Sequence, residues 1–123
     1  MRAYSPYMMN LIPQTADELF NVVLHSHTPY ILMAVLNGKH SNRDICRACP
    51  LLDESLGSKY CRYLVDVGLL ESHSENRNTH YELSPAGRDM AQCLVAIKSV
   101  AWIHTGIPKI ASEAAKKNQE ETA

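Results

Sequence analysis

Hydrophobic positions recur at three- and four-residue steps along most of this chain and change to strand-like patterning only around residues 69–83. The first helical run follows Thr15-Ala-Asp-Glu18, a capping box in which Thr15 accepts from first-turn amides and Glu18 reaches back. Leu19, Val22 and Val23, widened by Phe20 and Leu24, make its apolar face, which ends near His25-Ser-His27. Thr28 as N-cap and Pro29 at the first helical position restart the chain. Ile31, Leu32, Val35 and Leu36 form the next buried face, and Asn37-Gly38 stops it. Lys39-His40 is read as a short first strand, and Ser41-Asn-Arg-Asp44 as a second capping box, with Asp in place of Glu or Gln, that opens a helix over 42–49. A longer helix over about 53–67 places Leu56, Tyr60, Cys61, Leu64 and Val67 on one side. Gly68 follows where a helix end needs a left-handed residue. Residues 69–72 and 79–83 are strand-like around a polar turn at 74–78, and Ser84-Pro85 caps a last helix running to about His104.

Two short helices with a tight connection, then a hairpin, are the outline of a winged helix-turn-helix. The expected fold class is mainly α with a small β-hairpin (α+β), ending in a long C-terminal dimerisation helix. On the helix over 53–67 the positions facing away from the core are Ser55, Ser58, Lys59, Arg62 and Asp66. Small hydroxyls with Lys and Arg reach phosphates and base edges in a major groove. An ordinary solvated helix face has the same composition, and it is the following hairpin that turns the reading toward double-stranded DNA. At the wing, residues 74–79, Arg77 is the natural backbone or minor-groove contact, with His80 beside it. Asn42 and Arg43 stand at a helix N-terminus, which suits a phosphate.

The segment SKYCRYLVDVGLLE, followed after the turn by YELSPAGRDM, resembles the helix-wing-helix signature of archaeal and bacterial winged-helix regulators. Tyr60, Leu64, Gly68, Leu69, Leu70, Tyr81, Leu83, Ser84, Gly87 and Arg88 carry the likeness, which extends over about 28–105. It points in particular to small archaeal winged-helix transcriptional regulators, with an architecture shared by regulators of the multiple-antibiotic-resistance (MarR) type. What the resemblance implies is a sequence-specific DNA-binding regulator; it does not imply an operator or an effector.

From Met90 the last helix is apolar nearly all round, with Gln92, Lys98 and Ser99 as its main polar positions. A helix without a wet face needs cover on more than one side. A second copy would give it, so a homodimer through residues 85–105 and the N-terminal arm is expected; a clasp by the helix at 16–26 and the arm is the intrachain alternative. The organisation read from the sequence is an arm over 1–14, interrupted by Pro6 and Pro13, a winged-helix domain over 15–105 and a flexible tail over 106–123.

Composition changes this picture in one respect. Twelve Lys and Arg against 13 Asp and Glu give a formal net charge of -1 in 123 residues, so any surface for DNA must be locally positive. An apolar content of 46% excludes a disordered chain. No secretory signal and no membrane-length apolar run is visible, and the chain reads as cytoplasmic. Cys46 and Cys49 form a C-x-x-C, with Cys61 on the next helix and Cys93 on the last. Cys46, Cys49 and Cys61 are the candidates for a metal or a redox response. Their places on inward helix faces read instead as small buried hydrophobes, with no metal or cofactor. His25 and His27 point apart on a helix and do not suggest a ligand pair. Gly-rich phosphate loops, nucleophile elbows and paired carboxylates are absent from the sequence, which points away from an enzyme. A protein-interaction module on the same scaffold is the remaining alternative.

Overall fold

The computed structural model describes residues 12–105, which form five helices and a two-stranded antiparallel sheet. In chain order these are α1 (Ala16–Val23), α2 (Thr28–Leu36), α3 (Asn42–Ala48), α4 (Glu54–Val67), β1 (Leu70–Glu75), β2 (Asn78–Leu83) and α5 (Pro85–Thr105). This is the mostly helical, hairpin-bearing winged-helix architecture read from the sequence. The chain divides into two compact units, one up to Gln92 and one from Cys93. The expected packing of the arm falls on residues 1–11, and the expected flexible tail begins at 106; both lie outside the described residues.

The helix starts follow their capping residues closely. The Glu18 amide donates to Thr15 Oγ1 at 3.1 Å, and the Glu18 carboxylate reaches back to the Gln14 amide at 2.7 Å. The Asp44 amide donates to Ser41 Oγ at 3.1 Å, and the Leu56 amide to Asp53 Oδ1 at 2.8 Å. At α2 the expectation shifts by one residue. His27 occupies the cap without a side-chain bond, and Thr28 is the first helical residue, only 1% exposed. A left-handed Ser26 (φ 48°) brings the Thr28 amide onto the His25 carbonyl at 3.0 Å, so a tight turn, rather than a hydroxyl cap, launches the helix.

In the first unit the core draws on α2, α3, α4 and the hairpin. Ile31, Leu32, Ile45, Tyr60, Leu64, Leu69 and Leu70 are all nearly inaccessible. Burying a side chain of this size stabilises the fold by about 1.5–3 kcal/mol. Between α3 and α4 the contact is closer than ordinary side chains permit. Gly57 is buried in the middle of α4, and a Cβ there would collide with Cys46 Sγ and press on Asn42 Oδ1. Asn42 Nδ2 donates to the Glu54 carbonyl at 2.9 Å, and Cys46 Sγ lies 3.5 Å from the Asp53 carbonyl. The end of α3 is joined to α4 through Leu51, left-handed at φ 55° and almost fully exposed, while neighbouring Leu52 turns into the core.

The hairpin differs from expectation at its tip. Pairing runs from Leu70↔Leu83 to Glu75↔Asn78, leaving a two-residue loop of Asn76 (φ 50°) and Arg77 (φ 69°) in place of the five-residue turn. Two positive φ angles are the geometry of a type I′ turn, which follows the natural twist of the strands. The expected strand at Lys39-His40 is absent from the described sheet, which has two strands. A single residue takes its place: the Tyr81 amide donates to the His40 carbonyl, and His40 Nδ1 meets the Tyr81 carbonyl, both at 2.8 Å. Ser84 then joins the wing to α5. Its hydroxyl donates to the Gly68 carbonyl and accepts from the Gly87 amide at 3.0 Å, while its own amide reaches the Leu69 carbonyl at 3.1 Å.

Cys46, Cys49 and Cys61 are buried, and Cys93 is exposed. Burial raises the Cys46 thiol above its ordinary range, Glu54 and Asp53 adding to the effect. It pushes Cys49 up to about 11 and Cys61 to about 12, with the neighbouring thiols contributing. Neutral, desolvated thiols are poor nucleophiles and poor metal ligands.

Two outcomes are expected. Because a Cβ at Gly87 would overlap the Leu69 carbonyl oxygen, Gly87→Ala forces backbone apart where the wing meets α5; urea titration should show a loss of about 2 kcal/mol or more. In the folded protein, a thiol reagent should label Cys93 alone, with Cys46, Cys49 and Cys61 reacting only on unfolding. Folding holds those three thiols protonated, so their contribution to stability is full below about pH 9 and is lost as pH rises from there toward 12.

Candidate nucleic-acid interface

The candidate surface begins with which face of α4 the core consumes. Tyr60, Cys61, Tyr63, Leu64 and Gly57 are buried, and Leu56 and Val67 lie at the margin. The inward face is therefore wider than the spacing alone indicated, since Gly57 and Tyr63 join it. Ser55, Lys59, Arg62 and Asp66 are exposed and Ser58 is half-buried, so the polar stripe faces outward from Ser55 to Asp66. Glu54 is also exposed, at the first turn, whereas the Asp53 carboxylate is engaged as the cap of α4.

Arg62 stands where α4 meets the hairpin. Burial raises the Tyr81 phenol above its ordinary range, Cys61 adds to the shift, and the Arg62 guanidinium partly offsets it. The polar stripe of α4 and the wing are thus electrostatic neighbours, not separate features of the surface.

The other candidates divide into two groups. Arg43 is exposed on α3, and Arg47, one turn later on the same face, is exposed as well. Arg47 escaped the sequence reading, although its four-residue spacing from Arg43 was there to find. Asn42 is half-buried, and both ends of its amide are engaged, Nδ2 with the Glu54 carbonyl and Oδ1 with Cys46 Sγ at 3.6 Å. Its observed work is to hold α3 against α4.

Arg77 is exposed at the hairpin tip. His80 is exposed two rungs below, its ring stacked on His40 with centroids 4.6 Å apart. Directly paired residues share a face, so Glu71, His73, Glu75, Asn78, His80 and Glu82 form the outer side of the wing. Leu70, Tyr81 and Leu83 on the opposite side are buried. Three carboxylates on the outer side repel phosphate, which leaves the tip as the part of the wing suited to a nucleic-acid backbone.

Among the described residues no group of histidine, cysteine and acidic side chains is arranged to hold a metal ion, and no single helix is long and apolar enough to cross a membrane. In the second unit, Val95, Ile97, Val100, Trp102 and Ile103 are between 42% and 59% exposed. The hydroxyls of Ser99 and Thr105 turn back onto the carbonyls of Val95 and Ala101, which makes that surface still less polar.

No family model and no curated protein matches the chain. Solved structures do. A protein from Salmonella typhimurium assigned as a transcriptional regulator, ytfH, matches with a TM-score of 0.62 at 21% identity, over 81% of this chain and 90% of that one. A protein from Enterococcus faecalis assigned to the MarR family of transcriptional regulators matches with a TM-score of 0.59 at 18% identity, over 84% and 98% of the two chains. Sso10a-2, a DNA-binding protein from Sulfolobus solfataricus, matches with a TM-score of 0.53 at 18% identity, over 72% and 96%. The chain has the winged-helix fold of MarR-type transcriptional regulators.

Proposed function

We propose that this protein is a homodimeric, sequence-specific DNA-binding transcriptional regulator. The observation that carries the reading is the outward stripe of Ser55, Ser58, Lys59 and Arg62 on α4, beside a wing tipped by Arg77. Lys59 and Arg62 enter the major groove, where an Arg can bind guanine O6 and N7 together. Ser55 and Ser58 give close approach without bulk. Arg43, with Arg47, holds the backbone from α3, and Arg77 holds it from the wing. His80 is a secondary contact, and Asn42 acts by fixing the angle of α4. The regulators and the DNA-binding protein among the structural neighbours support the same reading.

The apolar surface of residues 93–105 supports the dimer. Five large side chains exposed on one short stretch of helix form the kind of patch that soluble proteins cover. A twofold partner covers it and sets two α4 helices at half-sites about one DNA turn apart. The raised thiols weigh against redox or metal sensing by Cys46, Cys49 and Cys61. A protein-interaction module is the second reading, favoured by the acidic outer side of the wing and the formal charge of -1.

Fluorescence titrations of labelled duplex across a salt series test the DNA face. Arg62→Ala should weaken binding to a selected site by about 1–3 kcal/mol. Arg77→Ala should weaken binding to all duplexes alike and lower the salt slope by about one. Unchanged affinity in both variants refutes this face, and failure to bind any duplex at low salt favours the protein-interaction reading.

A further inference from the structure

The outer side of the wing is crowded with groups that respond to protons. His73 and His80 face each other across the strands, flanked by Glu71, Glu75 and Glu82, and together with Asn76 and Asn78 most of these line one open groove. His73 Nε2 lies 3.3 Å from a Glu82 carboxylate oxygen. His80 stacks on His40, which comes from the connection between α2 and α3, where exposed Lys39 precedes it. With its imidazoles neutral, this face carries three carboxylates. Protonating His73 and one ring of the stack cancels two of them.

Only one proton suits the stack, because two imidazolium rings 4.6 Å apart repel each other. His40 Nδ1 already meets the Tyr81 carbonyl, so proton gain at the stack leaves that bond between connection and wing in place. The His73–His80 rung is two rungs from Glu75–Asn78 at the tip, roughly 7 Å along the strands. A nucleic-acid backbone docked along the wing acts on these rings where it comes within the screening length of about 10 Å at moderate salt.

We propose that the His73, His80 and His40 cluster couples DNA binding to pH: docking the wing on phosphate draws in a net of up to about one proton, and the DNA affinity rises as pH falls. The inference rests on the DNA-binding reading above and adds a regulation to it. Its sign follows from linkage. The polyanion favours the charged imidazoles, so the complex holds more protons than the free protein and mild acid favours the complex. At neutral pH the uncancelled carboxylates weaken the hold of the wing on the backbone without abolishing it.

The test is a duplex titration at fixed salt from pH 7.5 to 5.5, with wild type and the His73→Gln/His80→Gln double variant, each confirmed folded by its urea midpoint. Each proton taken up steepens affinity by at most about ten-fold per pH unit. Wild type should gain on the order of ten- to hundred-fold across the range, and the double variant less than about three-fold. Binding that is flat in wild type, or a double variant that keeps the full gain, overturns the inference and leaves the DNA reading intact. Absence of binding at every pH and low salt overturns both.

Discussion

The close approach of α3 and α4 at Gly57 is the constraint on which the rest of the structure depends. A glycine inside a helix costs about 1 kcal/mol relative to alanine, so it persists where nothing larger fits. Here the missing side chain admits Cys46, and Asn42 locks the start of α4 through the Glu54 carbonyl. With its inner face so held, α4 has one orientation available, and Ser55, Lys59 and Arg62 have nowhere to point but outward. The same rigidity passes down the chain. Gly68 ends α4 in a left-handed turn, Leu69 accepts from Ser84, and Gly87 lets α5 start against that backbone. Helix and wing are therefore set relative to each other by main-chain bonds.

Most of the elements were legible because local signals and packing agree. Thr15, Ser41 and Ser84 cap the helices assigned to them, and Gly68 stops α4 as expected. Disagreement arose where tertiary contacts override local chemistry. Thr28 has the chemistry of a cap, yet its place beneath the core draws it inside the helix. Asn76-Arg77 lacks the glycine that announces a two-residue turn, so a long polar loop was the natural reading; pairing along the whole hairpin holds Arg77 at a positive φ nonetheless. His40 supplies one rung where a strand was expected.

The candidate site was legible only in part, for a physical reason. Helical spacing reveals which residues share a face, and that was enough for Ser55, Lys59 and Arg62. It does not reveal which polar side chains spend their hydrogen bonds inside the protein. Asn42 does so with α4, and Asp53 does so as a cap. Nor does a formal charge of -1 reveal how charge is arranged. Arg43, Arg47, Lys59, Arg62 and Arg77 lie on α3, α4 and the wing tip, while Glu71, Glu75 and Glu82 gather on the outer side of the wing. In the proposed regulator, such an arrangement would weaken sequence-blind attraction to phosphate and leave more of the discrimination to side chains in the groove.

Guanine methylation interference on duplexes selected from a random pool probes the groove itself. Modification at guanine N7 blocks the major groove and leaves the minor groove untouched. If a twofold pair of α4 helices reads the site, interference should fall in two symmetric major-groove patches about 10 base pairs apart. Binding that is indifferent to N7 methylation, or that responds only to minor-groove modification, would contradict it.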